Sequence, residues 1–65
     1  MPKNYYYLTY AVGNFAFQAK TKEKYEHYDI SSILSSQSIL FIEVELNDKK
    51  LFVKNSAIIT FSVIP

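Results

Sequence analysis

The chain of 65 residues contains no cysteine, so neither a disulfide framework nor a thiolate metal site can help hold it together, and its one histidine, His27, cannot complete a zinc site unaided. Arginine is also missing: all seven basic residues are lysines, set against six acidic residues for a net charge of +1. Lacking both the planar guanidinium fork and a basic excess, the chain is poorly suited to grip nucleic acid mainly through phosphates. With a single glycine, no glycine-rich phosphate loop or dinucleotide fingerprint can be written, and the G-x-S-x-G nucleophile elbow is absent. No apolar run reaches the roughly 18 residues that a membrane helix needs, and the N-terminus lacks the basic, apolar and small-residue order of a signal peptide. A soluble cytoplasmic protein without a cofactor is expected.

What the chain has in quantity is hydrophobic side chains, 49% of the total, with 17% aromatic, which is the composition of a folded domain. Residues 1–65 make one domain. At this length folding buries only about 60% of the unfolded surface, so a lone core is marginal and oligomerisation is the expected aid. Abundant Lys, Asn, Ile, Tyr and Ser without Arg or Trp also fits an AT-rich genome such as that of a low-GC bacterium or its phage.

Two hairpins are legible. Segments 5–12 and 15–21 are rich in aromatic and β-branched residues, and Gly13-Asn14 between them suits a two-residue loop. That loop pairs Val12 with Phe15, Tyr10 with Phe17, Leu8 with Ala19 and Tyr6 with Thr21 on one side, and Thr9 with Gln18, Tyr7 with Lys20 and Tyr5 with Lys22 on the other. Tyr6 and Tyr10 are therefore expected in the core, and Tyr5 and Tyr7 on the wetter face. The second hairpin joins 39–46 to 51–54 through the polar turn 47–50, which sets Leu46 opposite Leu51, Val44 opposite Val53 and Glu43 opposite Lys54. After a break at 55–57, residues 58–64 alternate again, with Ile59, Phe61 and Val63 inward. The expected fold is all-β, a five-stranded curved sheet or small barrel of two hairpins plus a C-terminal strand, with at most one short helical turn. For the segment 22–38 two readings stand. Asp29 caps a turn of helix that places Ile30, Ile33 and Leu34 on one side, or the second strand runs on through Tyr25 or Tyr28 and the serines form a loop.

Tyr5, Tyr7, Lys20 and Lys22 are the candidate ligand-binding set, because aromatic faces stack planar groups and ammonium groups attract anions. The same residues also serve an ordinary half-buried strand surface, where Tyr is common and Lys deters stray pairing. Ile39, Phe41 and Phe52 fall on the outward side of the second hairpin and form the candidate subunit or partner interface. His27, Asp29 and the serines can be written as a Ser-His-acid trio, but nothing marks a nucleophile or an oxyanion hole. Glu43 and Glu45 share a strand face, and each has a nearby charge or strand partner.

The ending 51-LFVKNSAIITFSVIP-65 resembles the last two strands of Sm-like RNA-binding proteins, which also pass through a short Lys-containing turn and stop near a Pro. The resemblance covers less than a quarter of the chain. Asn55 stands where that family has a histidine after the Lys, and the Gly and Asp pattern of its first motif is missing. By elimination, the expected function is a non-catalytic accessory protein, as from a phage or other mobile element, that acts as a homo-oligomer and occupies a partner protein or sequesters a small anionic ligand such as a nucleotide. The alternative is an OB- or Sm-like barrel that binds single-stranded RNA or DNA, with Tyr5 and Tyr7 stacking bases.

Overall fold

The first hairpin turns on the chain's one glycine. In the computed structural model, which describes residues 2–65, β1 (Tyr6–Val12) and β2 (Phe15–Thr21) pair antiparallel from Tyr7 opposite Lys20 to Val12 opposite Phe15. Gly13 has φ of 59° while Asn14 keeps negative φ, the pattern of a type II′ turn. The register is the expected one throughout this ladder. Beyond it, the Tyr6 N–H donates to the buried Thr21 hydroxyl at 3.1 Å, and that hydroxyl donates to the Glu23 carbonyl at 2.8 Å.

The second hairpin, β3 (Phe41–Leu46) and β4 (Lys49–Lys54), corrects the expected register. Leu46 faces Lys49, Val44 faces Leu51, Ile42 faces Val53, Glu43 faces Phe52 and Phe41 faces Lys54. The turn is Asn47-Asp48 alone, both in the left-handed region at φ of 53° and 64°. Two positive-φ residues match the twist of the flanking strands, and Asn and Asp are the side chains that tolerate this conformation best after Gly. Because the pairing moved by two residues, every side chain kept its expected face. Asp48→Gly would complete the favoured Asn-Gly pair, and urea denaturation should show a gain of about 0.5 kcal/mol.

A 3-10 turn at Asn55–Ala57 leads into β5 (Ile58–Val63), which pairs antiparallel with β1. Phe61 and Val63, both expected inward, lie opposite Leu8 and Tyr6, with Phe61 half-buried and Val63 still 50% exposed, but a register break between Thr9 and Tyr10 places Ile58 opposite Tyr10 and leaves Ile59 exposed. Ile59 is thus a bulge residue and not an inward one. The sheet order is β4-β3-β2-β1-β5, so β4 and β5 are free edges and the sheet is curved and open, not a barrel.

The segment between the hairpins forms α1 (His27–Ser35), longer than the single turn expected. Its N-cap is Glu26, without a side-chain cap bond, and Asp29 sits inside the first turn. Tyr25 does touch the sheet, through paired N–H···O bonds of 2.9 and 2.8 Å with Asn4, but only as an isolated bridge after β2 has ended. Helix α1 seats Ile30 on Tyr6, Leu8, Tyr10, Ala19, Ile42, Val44 and Val53, with Ile33 and Leu34 packed around this core. Among the described residues no helix is long and apolar enough to cross a membrane.

Candidate functional site

Nine helical residues span about 13 Å, whereas the seven residues of β1 or β2 span about 23 Å. The helix therefore covers one end of its face of the sheet and leaves the hairpin end bare. Val12, Phe15 and Phe17, all on the side expected to be inward, are 58%, 71% and 41% exposed. The first hairpin also outruns the second at this end, since β3 stops at Leu46. The pairing of β2 with β3 is confined to Lys20 opposite Glu45 and Thr21 opposite Val44, with the Lys22 N–H donating to the Glu43 carbonyl. By the alternation of an antiparallel ladder, the main-chain groups of Ala16 and Gln18 point to the β3 side, and no strand lies beside them. At this end the residues of the two hairpins border a groove of about 250 Å³ lined by Tyr10, Val12, Phe17, Leu46, Leu51, Val53 and the β4 edge residue Phe52. The sequence held one sign of it: three apolar helix residues are too few to cover the inward positions of two hairpins.

The other face of the sheet is bare of helix and carries the candidate ligand set. Tyr7 and Lys20 are cross-strand partners, and the Lys20 ammonium lies 4.6 Å from the centre of the Tyr5 ring, with Lys24 at 5.4 Å from the same ring. Lys22 is 3.7 Å from the Glu43 carboxylate. A row runs across all five strands as Ser62, Tyr7, Lys20, Glu45 and Lys50, so that Glu45 sits between two lysines, while Glu43 sits between Lys22 and Phe52. The four residues are brought together, but Lys20 and Lys22 face Glu45 and Glu43, which offset part of the positive charge that Lys24 and Lys50 add to. Burial holds the Tyr25 phenol above its usual range, and the nearby Glu23 and Glu43 carboxylates add to the shift.

Phe41 and Phe52 stand on this same open face, 58% and 70% exposed, and Ile39, just before β3, is 68% exposed. Helix α1 lies on the opposite side and covers none of them. A second cleft, of about 240 Å³, opens at the start of α1 between Pro2, Asn4, Tyr6, Glu26, His27 and Tyr28. His27 packs its ring 5.4 Å from that of Phe61. Asp29, two positions along the helix, projects to a different side, so the pair forms no relay.

Asn55 is a residue whose importance composition did not reveal. It is buried at 4% exposure, and its side-chain amide donates to the carbonyls of Ile33, Ser38 and Ser36 at 2.8, 3.0 and 3.4 Å. Its side-chain oxygen accepts from the N–H groups of Leu40 and Ser56 at 3.3 and 3.0 Å. Asn55, which stands where the Sm-like pattern has a histidine, is here a structural clamp.

Comparison with known proteins finds no matching family model, no matching curated protein and no matching solved structure. The functional reading therefore rests on these surfaces alone.

Proposed function

We propose that this chain is a non-catalytic binding protein, working as a homo-oligomer, that occupies a partner protein by taking an apolar segment of it into the groove between the two hairpins. The observation that carries the reading is that β2 runs past the end of β3. This overrun sets unpaired main-chain groups of Ala16 and Gln18 beside apolar walls from Phe17, Leu46 and Leu51. An extended segment laid along β2 would satisfy those groups and bury its side chains in the groove, the usual economy of strand addition. Phe41, Phe52 and Ile39 offer a further contact surface on the open face, suited to a subunit or partner.

Capture of a small anionic ligand such as a nucleotide is the less favoured form of the same reading. An anion on Tyr5, Tyr7, Lys20 and Lys22 would have to compete with Glu43, which pairs with Lys22, and with Glu45, which lies opposite Lys20. The same carboxylates count against stacking of single-stranded nucleic acid there.

Affinity capture followed by native mass spectrometry tests the choice. The wild type should retain a mass of kilodaltons that the Phe17→Ser, Leu51→Ser double variant loses and the Lys20→Ala, Lys22→Ala double variant keeps. An adduct of hundreds of daltons lost only in the lysine variant would move the function to the open face. Salt-sensitive, micromolar binding of labelled oligo-dT or oligo-U would replace the proposal with the nucleic-acid reading.

A further inference from the structure

The two free edges of the sheet are chemically unlike. Strand β4 carries Lys49, Lys50 and Lys54, the charged pattern by which edge strands deter pairing. Strand β5 carries no charge, and none follows Lys54 anywhere in residues 55–65. It also has no internal proline, and Ile59 and Val63 are 60% and 50% exposed. An uncharged, β-branched edge with open hydrogen-bonding groups is a template for another strand.

Which groups are open follows from the ladder. The Ile64 N–H donates to the Tyr5 carbonyl at 2.9 Å. Ser62 opposite Tyr7 and Thr60 opposite Thr9 therefore also turn their main-chain groups toward β1, and those of Phe61 and Val63 turn outward.

We infer that β5 is the self-association edge of this protein, pairing antiparallel with β5 of a second copy about a two-fold axis at Phe61. Charge favours a second copy as the occupant of this edge. In a two-fold junction each strand meets itself, so any charge on it faces its own like. Strand β4 would set lysines against lysines, whereas β5 meets itself with no charge at all. Centred on Phe61, the junction exchanges two N–H···O bonds between the two Phe61 residues. It also sets Thr60 of one copy opposite Ser62 of the other on the open face. The result is a ten-stranded sheet with both helices on one side. Neither groove lies at the junction, so partner binding and self-association are separable. The inference rests on the homo-oligomeric part of the proposed function and assigns it to an edge instead of to Ile39, Phe41 and Phe52.

Sedimentation velocity across a concentration series, with amide exchange on the same samples, tests it. The wild type should form dimers in the micromolar to submillimolar range, and the Phe61 and Val63 amides should gain protection as concentration rises while those of Ser62 and Ile64 do not. The Thr60→Lys, Ser62→Lys double variant, altered at two exposed positions, should weaken dimerisation at least about tenfold, since it sets lysine opposite lysine twice. Mixing it with Thr60→Glu, Ser62→Glu should restore dimers, all of them mixed. A protein monomeric at every concentration would overturn both this edge and the homo-oligomeric reading. Dimers that persist in the lysine variant, with Phe61 and Val63 amides unprotected, would overturn the edge alone and return the interface to Phe41 and Phe52.

Discussion

Asn55→Ala should destabilise the fold by about 3 kcal/mol, enough to remove much of the roughly 3–10 kcal/mol available to a chain of this size. The side chain lost is the hub that joins three segments. Its amide reaches the Ile33 carbonyl in the last turn of α1 and the Ser36 and Ser38 carbonyls of the following loop, while its oxygen holds the N–H groups of Leu40 and Ser56. The main chain adds a bond from the Asn55 N–H to the Leu40 carbonyl at 2.8 Å, which alanine would keep. Each side-chain bond is worth about 1 kcal/mol net, and truncation also strands carbonyls and N–H groups that are partly sheltered from water. Helix C-termini leave their last carbonyls unpaired, and here a residue 22 positions along the chain meets that need at Ile33. Urea denaturation followed by circular dichroism reads the loss directly. Asn55→Asp is the sharper variant, because it keeps the shape and replaces the donor with a negative charge aimed at three carbonyls. It should cost more than alanine at neutral pH. The buried carboxyl would hold a raised pKa in the folded state, so stability should recover as pH falls through that value and the group becomes a neutral donor. A loss below 1 kcal/mol for Asn55→Ala, or an aspartate variant indifferent to pH, would show that the clamp is not what orders the 36–40 loop.

The parts of this fold that could be read from sequence are those in which local chemistry decides. Gly13-Asn14 admits few loop geometries, and once a two-residue loop is chosen every pair from Val12 with Phe15 to Tyr7 with Lys20 follows. Asn47-Asp48 was harder, because Lys49 and Lys50 look like turn residues and only the paired left-handed conformation reveals that they belong to β4. The faces survived the misplaced register because side chains repeat every second residue. The bulge at Ile59 had no local signal, since an isoleucine can continue a strand as readily as leave it. The length of α1 was hidden for a related reason. A segment reading HYDISSILS is rich in serine and β-branched residues, which are poor helix formers, and it becomes helical through tertiary docking of Ile30 and not through propensity. The groove follows from how far the helix reaches over the sheet and from where β3 ends against β2. No residue pattern along one strand records either fact. The Tyr5, Tyr7, Lys20 and Lys22 cluster was legible as a grouping, but the placing of Glu43 and Glu45 opposite its lysines depends on pairing across β2 and β3.

Docking by one side chain makes Ile30 the second position of large effect: Ile30→Ala should cost about 3 kcal/mol, and Ile30→Val about 1. Ile30 is completely buried, the only helix residue that is, and it shares one core cluster with Leu8 and Ala19 of the first hairpin and Ile42 and Val44 of the second. Removing its outer carbons leaves a void bounded by sheet residues that cannot close in, because they are held by ladders on both sides. A nine-residue helix has no stability of its own in water, so a loosened Ile30 releases α1 before the sheet gives way. Amide exchange should accordingly show the α1 amides losing protection ahead of those of β1 and β2, at denaturant levels where the wild type opens only globally. Phe52→Ala supplies the contrast, because that ring is 70% exposed on the open face and its loss should change monomer stability by less than about 0.5 kcal/mol. Ile30→Ala and Phe52→Ala costing the same would mean that the helix is not seated by Ile30. It would also undo the inference that the bare end of this face is a groove with a fixed wall.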